Sequence, residues 1–171
     1  MYGAFGGRQS ALRELSGDWN YALGAYVGYN ASRQSYDNVL IHQNGGTLGV
    51  TGMLYNGGFF TGLTVNGGVS FADARTMYGN DDFHILTAGI ASKTGYNWKT
   101  AGDRLVIQPS VTVSYSYIDS SDYTAASGVK IKGKALKAVQ LSPELKVAGN
   151  LDDGWQPYAS STELRTLATL A

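Results

Sequence analysis

From residue 59 to residue 72 the sequence alternates without a break. The odd positions are Phe59, Thr61, Leu63, Val65, Gly67, Val69 and Phe71; the even positions are Phe60, Gly62, Thr64, Asn66, Gly68, Ser70 and Ala72. Successive side chains of a strand point to opposite faces, so this is one ribbon with an apolar row and a row of small polar groups. The apolar row begins and ends on an aromatic, and the polar row carries no charge. A strand on a soluble sheet usually sets Lys, Glu or Arg on its wet face. A strand crossing an outer membrane presents an apolar row to lipid and a polar row to a lumen, between aromatic girdles. Roughly 9–11 tilted residues suffice to cross, and this run is longer.

The same pattern recurs. Trp19, Tyr21, Leu23, Ala25, Val27 and Tyr29 oppose Ala22, Gly24, Tyr26, Gly28 and Asn30. Leu105, Ile107, Val111, Val113, Tyr115 and Tyr117 oppose Gln108, Ser110, Thr112, Ser114 and Ser116, and Val139, Leu141, Leu145 and Val147 oppose Gln140, Ser142, Glu144 and Lys146. Period-two patterning predicts six antiparallel strands near 19–30, 46–56, 58–72, 83–97, 104–118 and 134–148, and a seventh that starts at Trp155-Gln156-Pro157-Tyr158 and stops. Pro109 lacks a ladder donor and predicts a strand start or a bulge. Residues 2–7 read as a strand end. In 8–16, Ala11-Leu12-Arg13-Glu14-Leu15 is more helical than extended, which leaves too little patterned sequence for a returning strand before Trp19. Residues 161–171 have no period of two, and Leu164, Leu167 and Leu170 recur at a helical interval, predicting a tail or short helix outside the sheet.

The connections alternate in length: long at 31–45, 73–82 and 119–134, short at 56–58, 98–103 and 149–154. Outer-membrane barrels show this rule, with long extracellular loops and short periplasmic turns. Composition agrees. Charged residues are 15% of the 171, against about 25% in ordinary soluble domains. Thirteen basic residues balance thirteen acidic ones, which gives no reason to expect a nucleic-acid partner. With no cysteine there is no disulfide framework or thiolate metal site. No apolar run reaches the ~18 residues of a transmembrane helix, so a membrane protein here must be a β-barrel. No signal peptide stands at Met1.

Four segments carry a resemblance in order: Tyr2-Gly3-Ala4-Phe5-Gly6-Gly7-Arg8; Leu23-Gly24-Ala25-Tyr26-Val27-Gly28-Tyr29; residues 107–115 running into Asp122-Tyr123; and Gly154-Trp155-Gln156-Pro157-Tyr158. The chain resembles the C-terminal translocator β-domain of autotransporters (type V secretion) over about residues 2–160. The resemblance implies a twelve-stranded barrel around a pore helix, exporting an N-terminal passenger domain of the same precursor to the bacterial surface. It implies an outer-membrane location and assembly by the barrel assembly machinery. Neither a passenger nor a terminal aromatic strand stands in these residues. The expectation is therefore an all-β, antiparallel up-and-down membrane barrel present as an incomplete, open portion: residues 1–160 as the partial barrel and 161–171 as a non-family tail. Such a portion should not form a working pore alone.

Expected lipid-facing residues are Leu63, Val65, Val69, Val111, Val113, Leu141 and Leu145. Expected lumen-facing residues are Lys93, Gln108, Thr112, Gln140, Glu144 and Lys146, whose charges should pair with each other or with a plug helix. His42 and His84 lack metal-site spacing and read as surface imidazoles. Asp81-Asp82 and Asp152-Asp153 face opposite ways and read as solvated turn residues rather than acid–base pairs. No Gly-x-Ser-x-Gly elbow is present. No catalytic, metal or cofactor residue is assigned, and no enzyme activity is expected. Another outer-membrane barrel, porin or adhesin, is the nearest alternative. A soluble β-barrel holding a small apolar ligand is the next, disfavoured because the row opposite the apolar one is Gly, Ser, Thr and Asn.

Overall fold

A computed structural model describes residues 2–36, 39–100, 104–149 and 157–170. The strands are β1 (Tyr2–Gln9), β2 (Arg13–Ser16), β3 (Trp19–Tyr36), β4 (Val39–Asn56), β5 (Phe59–Thr76), β6 (Gly79–Tyr96), β7 (Trp98–Thr100), β8 (Leu105–Ser120), β9 (Tyr123–Thr124), β10 (Lys130–Ile131), β11 (Ala135–Gly149), β12 (Tyr158–Thr162) and β13 (Arg165–Leu170). All but β9 and β10 form one sheet in the order β1-β3-β4-β5-β6-β8-β11-β12, with β2 against β3, β7 against β8 and β13 against β11. Every pairing is antiparallel. The sheet is a curled half-barrel. Among the described residues no pairing joins β1 to β12 or β13.

The six predicted strands are all present, and four of them are 18 residues long. Two predicted loops are not loops. Pairing continues from Asn30↔Gly45 to Tyr36↔Val39 and from Ala72↔Phe83 to Thr76↔Gly79. Polar residues interrupt the apolar row there, and Val39-Leu40-Ile41 is apolar on both faces, so alternation is silent, but main-chain ladders form whatever the side chains. Asp81 and Asp82 accordingly lie in β6, not in a turn. The third predicted loop carries the small β9–β10 hairpin. Trp155, Gln156 and the pair Asp152-Asp153 lie outside the described residues.

Two further expectations are corrected. Residues 8–16 are extended: β1 and β2 pair in turn with Ala31 to Gly24 and with Tyr21 to Trp19, and the Ser10 N–H donates to the Leu23 carbonyl at 2.8 Å across the gap. Together they are the returning strand ahead of Trp19. Residues 161–170 are also in the sheet: Glu144↔Thr162 and Leu141↔Arg165 keep one register, so β12 and β13 are a single interrupted lane on β11. In both cases the free backbone groups of a neighbouring edge outweigh a helical propensity worth tenths of a kcal/mol per residue.

Prolines set the interruptions. The β12–β13 gap faces Pro143, whose carbonyl accepts from the Glu163 N–H at 3.1 Å. Pro109 lies inside β8, and the β6–β8 ladder lapses between Gly95↔Ser110 and Trp98↔Ile107 without a register shift. The Asn97 N–H donates instead to the Gly58 carbonyl at 2.7 Å. Neither position is a bulge.

Candidate functional site

The register sorts the side chains into two faces. Leu63 pairs with Ser92, Ser92 with Val113, and Val113 with Leu141. Val65 pairs with Val50 and Ile90, Val69 with Leu86, Val111 with Pro143, and Leu145 with Pro109. All seven predicted apolar residues thus share one face. It is strongly exposed: Val65 is 44%, Leu63 49% and Leu145 50% accessible. Aromatics frame it. At one end Trp19 meets Phe59 edge-on with centroids 6.3 Å apart, and Tyr96 lies 6.0 Å from Trp98. At the other end stand Tyr29 and Phe71, both exposed. Twelve residues separate Phe59 from Phe71, about 40 Å of strand. At the ~35–45° tilt of barrel strands this spans about 30 Å, comparable with an apolar band of ~25 Å.

Lys93, Gln108, Thr112, Gln140, Glu144 and Lys146 all fall on the opposite face. Lys93 Nζ donates to Glu144 Oε2 at 2.6 Å, over the intervening β8, whose Thr112 pairs with Lys93 and whose Ser110 pairs with Glu144. Gln108 Nε2 donates to Asn97 Oδ1 at 2.7 Å, and Lys146 Nζ lies 4.6 Å from the centre of the Tyr158 ring. Gln140 pairs with Ser114 and Thr166 and stands apart from the ion pair. This face is the crowded one. Ala22, Phe60, Ser70, Ala72, Ala74 and Asp81, all buried, belong to it. Large groups lie over bare backbone: the Tyr26 ring covers Gly49 and the Phe60 ring covers Gly95, where a Cβ would strike them.

His84 pairs with Phe71 and His42 with Asp73, and both line one shallow depression with Asp73 and Asp82 at that end of the sheet. Among the described residues no three His, Cys, Asp or Glu side chains converge as a metal site. Alternation did not reveal the folding of the 121–134 segment onto β6. Its one legible signal was the Gly128 turn between short extended pieces.

A curled antiparallel sheet of long strands, with one apolar, aromatic-framed face and one polar face, has the architecture of an outer-membrane β-barrel domain. The autotransporter β-domain family model matches residues 1–163, and the chain belongs to that family. It is therefore a translocator-type barrel domain of the outer membrane, and domains of this family are transport barrels. Two solved structures have the same fold. The β-domain of the Bordetella autotransporter BrkA is 18% identical, with a TM-score of 0.74 over 96% of this chain and 72% of that one. The translocator domain of NalP from Neisseria meningitidis is 12% identical, with a TM-score of 0.75 over 97% of this chain and 61% of that one. The chain thus spans well under the full length of either. No curated protein matches the chain.

Proposed function

We propose that the sheet forms part of the wall of a pore through which an N-terminal passenger segment of the same precursor reaches the cell surface. In this reading Leu63, Val65, Val69, Val111, Val113, Leu141 and Leu145 contact outer-membrane lipid. Lys93, Gln108, Thr112, Gln140, Glu144 and Lys146 face the lumen. The barrel assembly machinery inserts the sheet.

One observation carries this reading: the two faces differ in crowding as well as in polarity. Side chains converge on the concave side of a curled sheet and splay on the convex side. The polar face holds every buried residue named above, against Ala31 alone on the apolar one, and Val27, Leu48, Val50, Leu63, Val65, Val69, Val111, Val113 and Leu145 of the apolar face are 36–65% accessible. A soluble barrel would place the apolar row inside. Leaving this much apolar surface in water is unfavourable by about 25 cal/mol per Å², a term that lipid removes.

Two neighbouring positions test the assignment. The chain has no cysteine, so Thr112→Cys and Val113→Cys each create a single thiol on opposite faces. In the precursor assembled in the outer membrane, a water-soluble maleimide should label the thiol at 112 and spare that at 113. Equal labelling would refute the faces. A peptide tag placed ahead of Tyr2 in the precursor should bind external antibody on intact cells; a tag found only in the periplasm would refute export.

A further inference from the structure

The segment between β8 and β11 does not stand away from the sheet. After Ser121, whose N–H donates to the His84 carbonyl at 2.9 Å while its Oγ accepts from the His84 N–H at 3.0 Å, the chain leaves the β6–β8 ladder. It then turns across the polar face. The Tyr123 ring stacks on Phe83, with centroids 5.1 Å apart and planes within 20°. Beyond it the Ala126 N–H donates to Asp81 Oδ1 at 2.6 Å. Asp81 is 7% exposed, one of two buried polar residues among those described. Phe83 and Asp81 share the face of Lys93, two and three pleats beyond Thr87. The strap is a hairpin in its own right: β9 pairs with β10, the Gly128 N–H donates to the Ala125 carbonyl at 2.7 Å, and Gly128 has φ +83°. The tip of the β5–β6 hairpin is shaped to receive it. Gly79 has φ +136°, and a Cβ there would lie 2.7 Å from that of Ala126.

We propose that residues 121–134 form a gate over the outer mouth of the lumen, held shut by the Asp81–Ala126 hydrogen bond and the Phe83–Tyr123 stack, and displaced when polypeptide passes. The proposal rests on the reading of the polar face as lumen. The hold is local. Beyond the hinge at Ser121, which stays bonded to His84, it uses one charge-assisted hydrogen bond and one ring pair, and no strand of the main sheet has to separate for the hairpin to swing. A carboxylate accepting from a backbone N–H is a strong bond when dry and is readily replaced by water once the hairpin lifts. Asp81 and Phe83 thus act as positioning residues for the hairpin.

The test is planar-bilayer conductance of the full precursor-derived protein, with three changes. Asp81→Ala removes the acceptor and should raise the open fraction roughly tenfold, the equivalent of one such bond. Asp81→Asn keeps a carbonyl acceptor for Ala126 and should stay near the parent, which separates loss of the latch from a general loss of fold. The pair Phe83→Cys with Tyr123→Cys, oxidised to a cross-link, should hold the pore in its low-conductance state until reductant is added. A steady current that ignores all three changes overturns the gate and leaves the pore standing. No current in any arm, reduced or not, overturns the pore and the gate together.

Discussion

Lys93 and Glu144 meet at 2.6 Å although neither lies on a strand adjacent to the other's: β8 passes between β6 and β11 beneath the pair. Their side chains are 37% and 21% exposed, so solvent screens part of the attraction. What the pair adds is a tie across three strands on the crowded face. Lys93→Met or Glu144→Gln alone should each destabilise the folded domain by ~1–2 kcal/mol, because a half-buried partner is left uncompensated. The double variant should recover part of that loss. Urea unfolding in lipid, analysed as a double-mutant cycle, measures the coupling; strictly additive losses would show that the two charges do not act on each other.

Phe60, 3% exposed, fills the space above Gly95. A Cβ at position 95 would sit 2.6 Å from the Pro109 carbonyl oxygen and 2.7 Å from Ser110 Cβ. Two of these neighbours belong to strand backbone or its first side-chain atom and cannot move far. Gly95→Val should therefore cost ~1–3 kcal/mol by overpacking, and Phe60→Ala introduced with it should relieve part of the clash. Unfolding midpoints of the single and double variants check this. A Gly95→Val protein as stable as its parent would contradict the close packing.

Arg165 pairs with Leu141, and Glu163 faces Pro143, both on the apolar face, with Arg165 Nε donating to Glu163 Oε1 at 2.7 Å. An ion pair here is a poor neighbour for lipid. Arg165→Leu combined with Glu163→Gln removes both charges and should stabilise the membrane-inserted domain by ~1–3 kcal/mol, within the depth-dependent range for charge on a lipid face. Reversible unfolding from bilayers reads it; a destabilised variant would mean that this part of β13 does not face lipid.

Legibility followed burial. Where one face is apolar and the other polar, as at Leu63 to Phe71, alternation fixes both the strand and the face of each residue, and the register agrees. Lys93 and Glu144 share a row legible in the sequence, which leaves them to pair with each other or with a plug helix; the register brings the two together. Where both faces are polar, as at Ser32 to Ser35 or Asp73 to Thr76, the period vanishes although the ladder does not. Arg13 to Leu15 and Leu164 to Leu167 misled for a different reason: their local preference is helical, and only the adjacent strand edges, supplied by distant sequence, make them extended. The hairpin fold-over depends on Asp81 meeting the Ala126 N–H, 45 residues apart, a contact that no local pattern encodes.

The most direct test of the two-faced wall compares Val65→Arg with Thr112→Arg in the precursor-derived barrel folded into bilayers. Val65 lies between Val50 and Ile90 on the apolar face, and Thr112 between Lys93 and Ser142 on the polar one. Arginine at 65 should cost ~2–4 kcal/mol of folding free energy, while at 112 it should cost under about 1 kcal/mol. Equal costs at the two sites, or the larger cost at 112, would contradict the account.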